Sequence, residues 1–566
     1  MKRMVLAVLL GGMGFALTAG MKAGDGDGHH QRFHFAPDSI VLSESVYEGT
    51  PDTVVIGEVL PPGCAGGANG STVVAVPTTT AGVSTNVTVP CGIASDNGEF
   101  PNLNDNHNVW NNANSDGSFG ITSPILLENL TEDGRWIDTL RIPADRIVTS
   151  FSSKSELALN RSVDGESLTF MGYHGGPGCG GGPVSPTAAN LLDVSASNTP
   201  AICDPTNPAI SSSESTPIVP TAYYRAVSEV DADGHLSVTD GNAYSGDNGR
   251  AAIKGGNGMY YMAGNDNSGN LSKKQLPITP IGIDLINATG AETLTPGGVP
   301  PVPPNIGMIG RLQFGSDKPG KDTNFRGVTI FDNTLYITKG SGGNGINTVY
   351  QVGSQGVLPT GSAADLATVP IVPLPGFPST TASTNTNFPF GMFFANATTL
   401  YVCDEGDGTL VTPPVNGNVA DAQSLATAGL QKWVLQNGTW TMIYVLQNGL
   451  NIGVPYSVEN YPAALDPATG GCRNLAGKVH RDGTVTIWAT TSTISANGDQ
   501  GADPNKLVRV RDIIAATTLP TGDGDNDRDD RFGTFQTIRS ARAGEVFRGV
   551  ALAPERHHDD DRGEDR

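Results

Sequence analysis

Charged residues are scarce in this chain. Only 16% of its 566 residues are Asp, Glu, Lys or Arg, and within that small set acids outnumber bases by 56 to 34, for a formal charge of −22. A surface of that sign repels nucleic acid and anionic membranes, which excludes both as partners. Long apolar runs are absent after the N-terminus, so no later stretch is expected to span a bilayer. There is no CxxC and no Cys/His spacing of the kind that binds zinc. No GxSxG is present, so the HGGPG run at His174–Gly178 has no α/β-hydrolase nucleophile elbow to serve. The GSGGNG run at Gly340–Gly345 leads into a strand pattern rather than a helix, and so lacks the helix dipole that would hold a phosphate.

Turn-forming residues are abundant. The 73 glycines and 39 prolines, set among Thr, Ser and Asn, separate short apolar runs and point to an all-β fold. The N-terminus reads as a signal peptide over residues 1–23. Lys2 and Arg3 precede an apolar run from Met4 to about Ala19, and cleavage is expected after Ala19 or Ala23. No Cys lies just behind this run to take a lipid anchor. Residues 24–37 read as a flexible leader, and 555–566, with paired His and a run of acids, as a disordered tail. The product is expected to be exported, periplasmic or extracellular, and monomeric. Six cysteines suit an oxidising compartment: Cys64, Cys91, Cys179, Cys203, Cys403 and Cys472. Fifteen pairings are possible for six cysteines. The favoured set joins 64–91 and 179–203 as local loops, which leaves 403–472.

Between residues 38 and 554 one pattern recurs: an apolar run, a turn containing Asn, Asp or Gly, then a second alternating run. It is plainest in Phe325–Gly340, FRGVTIFDNTLYITKG. It returns at Ser155–Tyr173, Gly249–Asn265, Phe390–Gly406 and Cys472–Thr491. Alternation at period two between such turns is a hairpin meander. Repetition at roughly 50–90 residues makes it a β-propeller, with no WD or kelch signature. FRGVALAP (Phe547–Pro554) copies the first half of FRGVTIF and stops. The missing strands stand at the other end, as IVLSESVY and TVVIGEVL. A ring closed by a C-terminal inner strand on N-terminal strands accounts for both fragments. Unit starts near 39/548, 108, 156, 250, 326, 390 and 473 give seven blades. The 108–142 unit matches the repeat least well, which leaves six or eight open.

The runs FSSKSELALN, TNFRGVTIFDNTLYITKGSGGNGINTVY, FPFGMFFANATTLYV and GDQGADPNKLV resemble a group of uncharacterised exported β-propeller proteins. Their propeller superfamily includes lactonase-like and phytase-like members. The resemblance spans most of the chain beyond the leader and implies the fold, with no activity attached.

In a propeller the start of each inner strand and the loop after the second strand open on one face, where loops from many blades converge. At the inner-strand start four units carry Arg250, Arg326, Arg473 and Arg548, and a fifth carries Glu156. Guanidinium forks suit carboxylate, phosphate or sulfate oxygens. The plainer role is to tie neighbouring blades through backbone carbonyls. After the second strand come Lys339 in one unit and Asp404, Glu405 and Asp407 in another. The three acids are candidate Ca²⁺ ligands or a general base. Asp523, Asp525 and Asp527 resemble the start of an EF-hand loop, but Arg528 holds the position that wants Gly, and Thr534 the one that wants Glu.

Three functions follow as expectations. The first is an extracellular module that binds a small anionic or sugar-derived molecule, or a partner chain, at the channel face. The second is a calcium-assisted hydrolase, lactonase-like or phosphoesterase-like. The third is a structural or adhesive protein. Calcium is the cofactor these carboxylates suggest, and His557 and His558 with Asp559–Asp561 in the tail suit a transition metal.

Overall fold

Turn chemistry sets the hairpins. Asp332 and Asn333 join Val328–Phe331 to Thr334–Lys339, and both have positive φ, at 46° and 53°. Asn437 and Gly438, at 51° and 78°, do the same between Gly429–Gln436 and Thr439–Leu446. Two consecutive left-handed residues make the tight turn whose twist matches paired strands, and Asx and Gly tolerate that conformation best.

The computed structural model describes residues 33–46, 123–174, 224–265, 283–290, 309–310, 324–380, 387–408, 426–461, 466–520 and 531–556, apart from short gaps. It gives strand placement alone for 71–77, 84–90, 305–308, 410–415, 418–420 and a few two-residue strands before 123. Apart from Phe33, the described residues belong to the unit His34–Arg566.

Six sheets form the ring. Blade 1 joins the two ends of the described chain. Its inner strand Glu545–Leu552 pairs antiparallel with Ile40–Val46, which pairs with Ile125–Leu130 and through it with Trp136–Arg141. Blade 2 runs from Asn160–Arg161 through Ser167–His174 and Arg225–Asp231 to Leu236–Gly241. Blade 3 holds Gly249–Lys254, Met259–Gly264, Ile283–Asn287 and Asn305–Met308. Blade 4 adds Thr348–Val352 and Ile371–Pro373 to the hairpin Val328–Lys339. Blade 5 holds Pro389–Asn396, Thr399–Asp404, Gly429–Gln436 and Thr439–Leu446. Blade 6 holds Ala468–Val479, Thr484–Ile494, Lys506–Ile513 and Gln536–Ser540. Each first strand touches the first strands of the blades on both sides, so the inner strands make a closed circle.

The fold is therefore an all-β propeller, and the closure expected from the half-copy at Phe547 is present. The count of seven is corrected to six. Residues 125–130 and 136–141, expected in a unit of their own, are the third and fourth strands of the closing blade. Ile125–Leu130 is captured by Ile40–Val46, with Leu42 opposite Glu128 and Ile40 opposite Leu130. The TVVIGEVL run expected beside it lies outside the described residues.

Each apolar core is shared between two blades. Ile253 and Tyr261 of blade 3 pack on Leu335, Ile337 and Val352 of blade 4. Tyr401 and Leu430 of blade 5 pack on Val485, Ile487 and Val508 of blade 6. This is why the second strands are buried on both faces rather than on alternate residues, as Thr334–Lys339 is throughout. Blades also approach closely at the glycine of the repeated Phe-Arg-Gly-Val motif. A Cβ on Gly327 would stand 2.4 Å from the Phe390 carbonyl oxygen of blade 5, and one on Gly549 2.4 Å from the Leu159 amide entering blade 2. Cys403 and Cys472 form a disulfide between blades 5 and 6. The other four cysteines lie outside the described residues. No helix among the described residues is long and apolar enough to cross a membrane.

Candidate functional site

The antiparallel meander brings the start of each first strand and the end of each second strand to the same end of the ring. Five of the expected site residues stand there, all within 5% of full burial: Glu156, Arg250, Arg326, Arg473 and Arg548. They are linked through a short turn, Ser153–Glu156, that leads into blade 2.

Arg326 of blade 4 donates from Nη1 to the Ser155 hydroxyl, and its guanidinium lies 5.8 Å from the centre of the Phe390 ring. Lys154 Nζ is 3.6 Å from Glu405 Oε1, and Glu405 Oε2 accepts from Arg473 Nε at 3.0 Å. Blades 2 and 5 are diametrically opposed in a ring of six, so the Lys154–Glu405 contact crosses the axis. Asn248, just before blade 3, donates to the Ser153 hydroxyl at 2.8 Å. Arg548 of blade 1 donates from Nη2 to the Phe151 carbonyl and from Nε to the Ser45 hydroxyl at 3.0 Å. Arg250 holds the seam between blades 3 and 4, donating to the Phe325 carbonyl at 2.9 Å and to the Asn324 side chain.

Glu156 accepts three hydrogen bonds: from Thr149 Oγ1 at 2.6 Å, from the Ser150 amide at 2.9 Å, and from the Tyr173 hydroxyl. Burial still dominates and pushes its carboxyl above the usual range. Burial and the positive charge of Arg473 push Arg548 down to about 9, while Glu156 holds it up. Arg548 Nη1 is buried and makes no hydrogen bond.

Asp404, at the end of the second strand of blade 5, is taken up locally. It accepts from the amides of Phe388 at 2.8 Å and Gly406 at 2.9 Å, and from Gln431 Nε2 at 2.9 Å. Burial raises its carboxyl to about 7 against those bonds. Asp407 is half-buried. Among the described residues no group of three or more His, Cys, Asp or Glu side chains is arranged to hold a metal ion. Asp523, Asp525 and Asp527 lie outside the described residues. Lys339 is fully buried within blade 4 and donates to Asn347 Oδ1 at 2.9 Å.

Lys154 and the serines around it escaped the sequence reading. Lys154 stands two positions before Glu156, just ahead of an inner strand, so its place relative to the repeat was the available signal. His174 also lies at this end. Its Nδ1 is 2.6 Å from Asp240 Oδ1, and its buried Nε2 has no hydrogen-bond partner.

No protein-family model and no curated protein matches the sequence. Among solved structures, an ACO/RPE65 chimera is 11% identical, with a TM-score of 0.21. The match covers 86% of this chain and 66% of the chimera, so this chain spans just under two thirds of that protein. A thermostable family-43 glycoside hydrolase is 11% identical with a TM-score of 0.27, covering 70% of this chain and 95% of that one. A Synechocystis apocarotenoid oxygenase mutant, Glu150Gln in that protein's own numbering, is 11% identical with a TM-score of 0.20, over 86% of this chain and 71% of its own. The propeller assignment rests on the strand order and the closed circle of inner strands.

Proposed function

We propose that this propeller is a binding module, working outside the cytoplasm, that takes a small anionic ligand at the channel face. The observation that carries the reading is Arg548. Its guanidinium is buried within electrostatic reach of a second arginine, Arg473, as well as of Glu156, and one of its nitrogens has no acceptor. A buried donor left without a partner costs roughly 1–3 kcal/mol, and a like charge nearby adds to that. A ligand oxygen carrying negative charge would relieve both at once. Arg326, Arg473 and Lys154, brought to the same place from three other directions, favour the same sign of ligand. Guanidinium groups recognise oxyanions by paired donation, which supports phosphate, sulfate or carboxylate over a neutral sugar. The disulfide between Cys403 and Cys472 and the leader sequence support export.

Titration calorimetry with phosphate, sulfate and citrate tests the reading. Binding by the wild type, weakened at least tenfold in Arg548→Lys, is the expected result. Thermal denaturation of the variant serves as the control for folding. No heat with any of the three anions at millimolar concentration, from the wild type or from Ser155→Ala, which removes the hydroxyl bonded to Arg326, defeats it.

A further inference from the structure

The turn Ser153–Glu156 lies where the ligand of this site would bind. Resting on the anion-site reading above, we propose that this turn is a built-in competitor. The ligand is then a small oxyanion group, phosphate or sulfate, free or at the end of an ester, that displaces the Ser155 hydroxyl and the Phe151 carbonyl from Arg326 and Arg548.

The turn belongs to blade 2, yet its contacts reach three other blades, and the Phe151 carbonyl ahead of it reaches a fourth. Ser155 accepts from Arg326 of blade 4, Ser153 from Asn248 at the start of blade 3, and Lys154 faces Glu405 of blade 5. The Phe151 carbonyl, just before it, accepts from Arg548 of blade 1. Only a segment lying over the axis reaches all of these.

The chemistry of the contacts matters as much as their number. What this segment offers the two guanidinium groups is a hydroxyl and a carbonyl, both neutral oxygens. An ionised acceptor forms hydrogen bonds roughly twice as strong as a neutral one. An oxyanion that reached Arg326 and Arg548 would therefore win, and it would need the N–H groups that Ser155 and Phe151 now occupy. Arg548 Nη1, which the turn leaves without an acceptor, is where a third ligand oxygen would be held. The anion and the turn cannot both be seated.

The turn also brings its own cation. When Ser155 leaves Arg326, Lys154 leaves Glu405, and Glu405 keeps Arg473 at 3.0 Å. The closed circle of six inner strands and the depth of the arginines, 3–5% exposed, admit a compact group rather than a whole sugar ring.

The test is Ser155→Ala, which removes the competing hydroxyl but none of the cations. Inorganic phosphate, inorganic sulfate and phosphoserine are titrated against wild type and variant. Amide exchange at residues 153–156 is followed with and without saturating anion. The variant should bind roughly tenfold more tightly, and exchange at 153–156 in the wild type should quicken on saturation. Binding only by the variant supports the same conclusion. Equal or weaker affinity in the variant, or exchange that slows or stays constant on saturation, overturns the competitor while leaving the anion site standing. Absence of binding by both chains overturns the site itself and this inference with it. Phosphoserine binding beside that of the free ions means that an ester is accepted; binding of the free ions alone confines the ligand to them.

Discussion

Glu44 should weaken the fold at neutral pH, and its replacement by Gln should strengthen it. The side chain is 3% exposed, in the strand that closes the ring, at an irregularity in its pairing with Glu545–Leu552. Burial is the main reason its carboxyl is pushed up from 4.5 to about 9; the charges of Glu128 and Glu545 add to the rise, and Arg539 and Arg542 oppose it. The folded pKa lies above the unfolded one. The stabilising contribution is therefore complete below pH 4.5 and is lost progressively as pH rises to about 9. Each pH unit within that window is worth about 1.4 kcal/mol. At pH 7 the unfolded chain has released the proton and the folded chain still holds it, so the fold has lost about 3 kcal/mol. Gln keeps the shape and carries no titrating proton. Chemical denaturation of wild type and Glu44→Gln, with the disulfide kept oxidised, should give nearly equal stabilities at pH 4.5. The variant should gain about 3 kcal/mol by pH 7, the gap widening with pH. A gap that does not change with pH, or a variant less stable at pH 7, would refute the assignment of a buried, proton-bearing carboxyl.

Replacing both Cys403 and Cys472 by Ala should cost about 4 kcal/mol, because the bond closes a separation of 69 residues in the unfolded chain. Denaturation without reductant measures this, and a loss under about 1 kcal/mol would contradict the loop-closure account. The buried pair Lys432–Asp512, at 3.1 Å between blades 5 and 6, predicts a second loss. Lys432→Met leaves Asp512 with only the Tyr401 and Tyr444 hydroxyls as side-chain donors. It should cost about 3 kcal/mol by the same assay, whereas a neutral outcome would mean that the two hydroxyls suffice.

Much of the architecture was legible because local chemistry and global fold agree. Asp332–Asn333 announces a tight hairpin turn in sequence and has the positive φ angles that turn needs. The half-copy Phe547–Pro554 announced the closure. The blade count was not legible. Outer strands alternate as inner ones do, so Ile125–Leu130 and Trp136–Arg141 look like the start of a new unit until their partner is known, and that partner lies some ninety positions upstream. The arginines could be found through their repeat position. Their acceptors could not: the Phe151 and Phe325 carbonyls and the Ser155 hydroxyl are groups that any loop supplies. Lys154 was missed for a related reason, since it acts across the axis and no periodicity links it to Glu405.

The join in blade 1 also governs the order in which the molecule is made. Ser43 and Gly549 meet across 506 positions of chain. Length alone is a mild obstacle, since each doubling of a loop adds only about 0.6 kcal/mol of closure entropy. Waiting is the greater one. While the intervening blades are being synthesised, the strand Ile40–Val46 has no inner partner, and its backbone donors and acceptors are open to any extended peptide nearby. The strand that will finally cover it, Glu545–Leu552, is the last of the ring's strands in chain order. The newborn ring thus carries an adhesive edge until that strand emerges. Any factor that escorts this chain has that edge to shield.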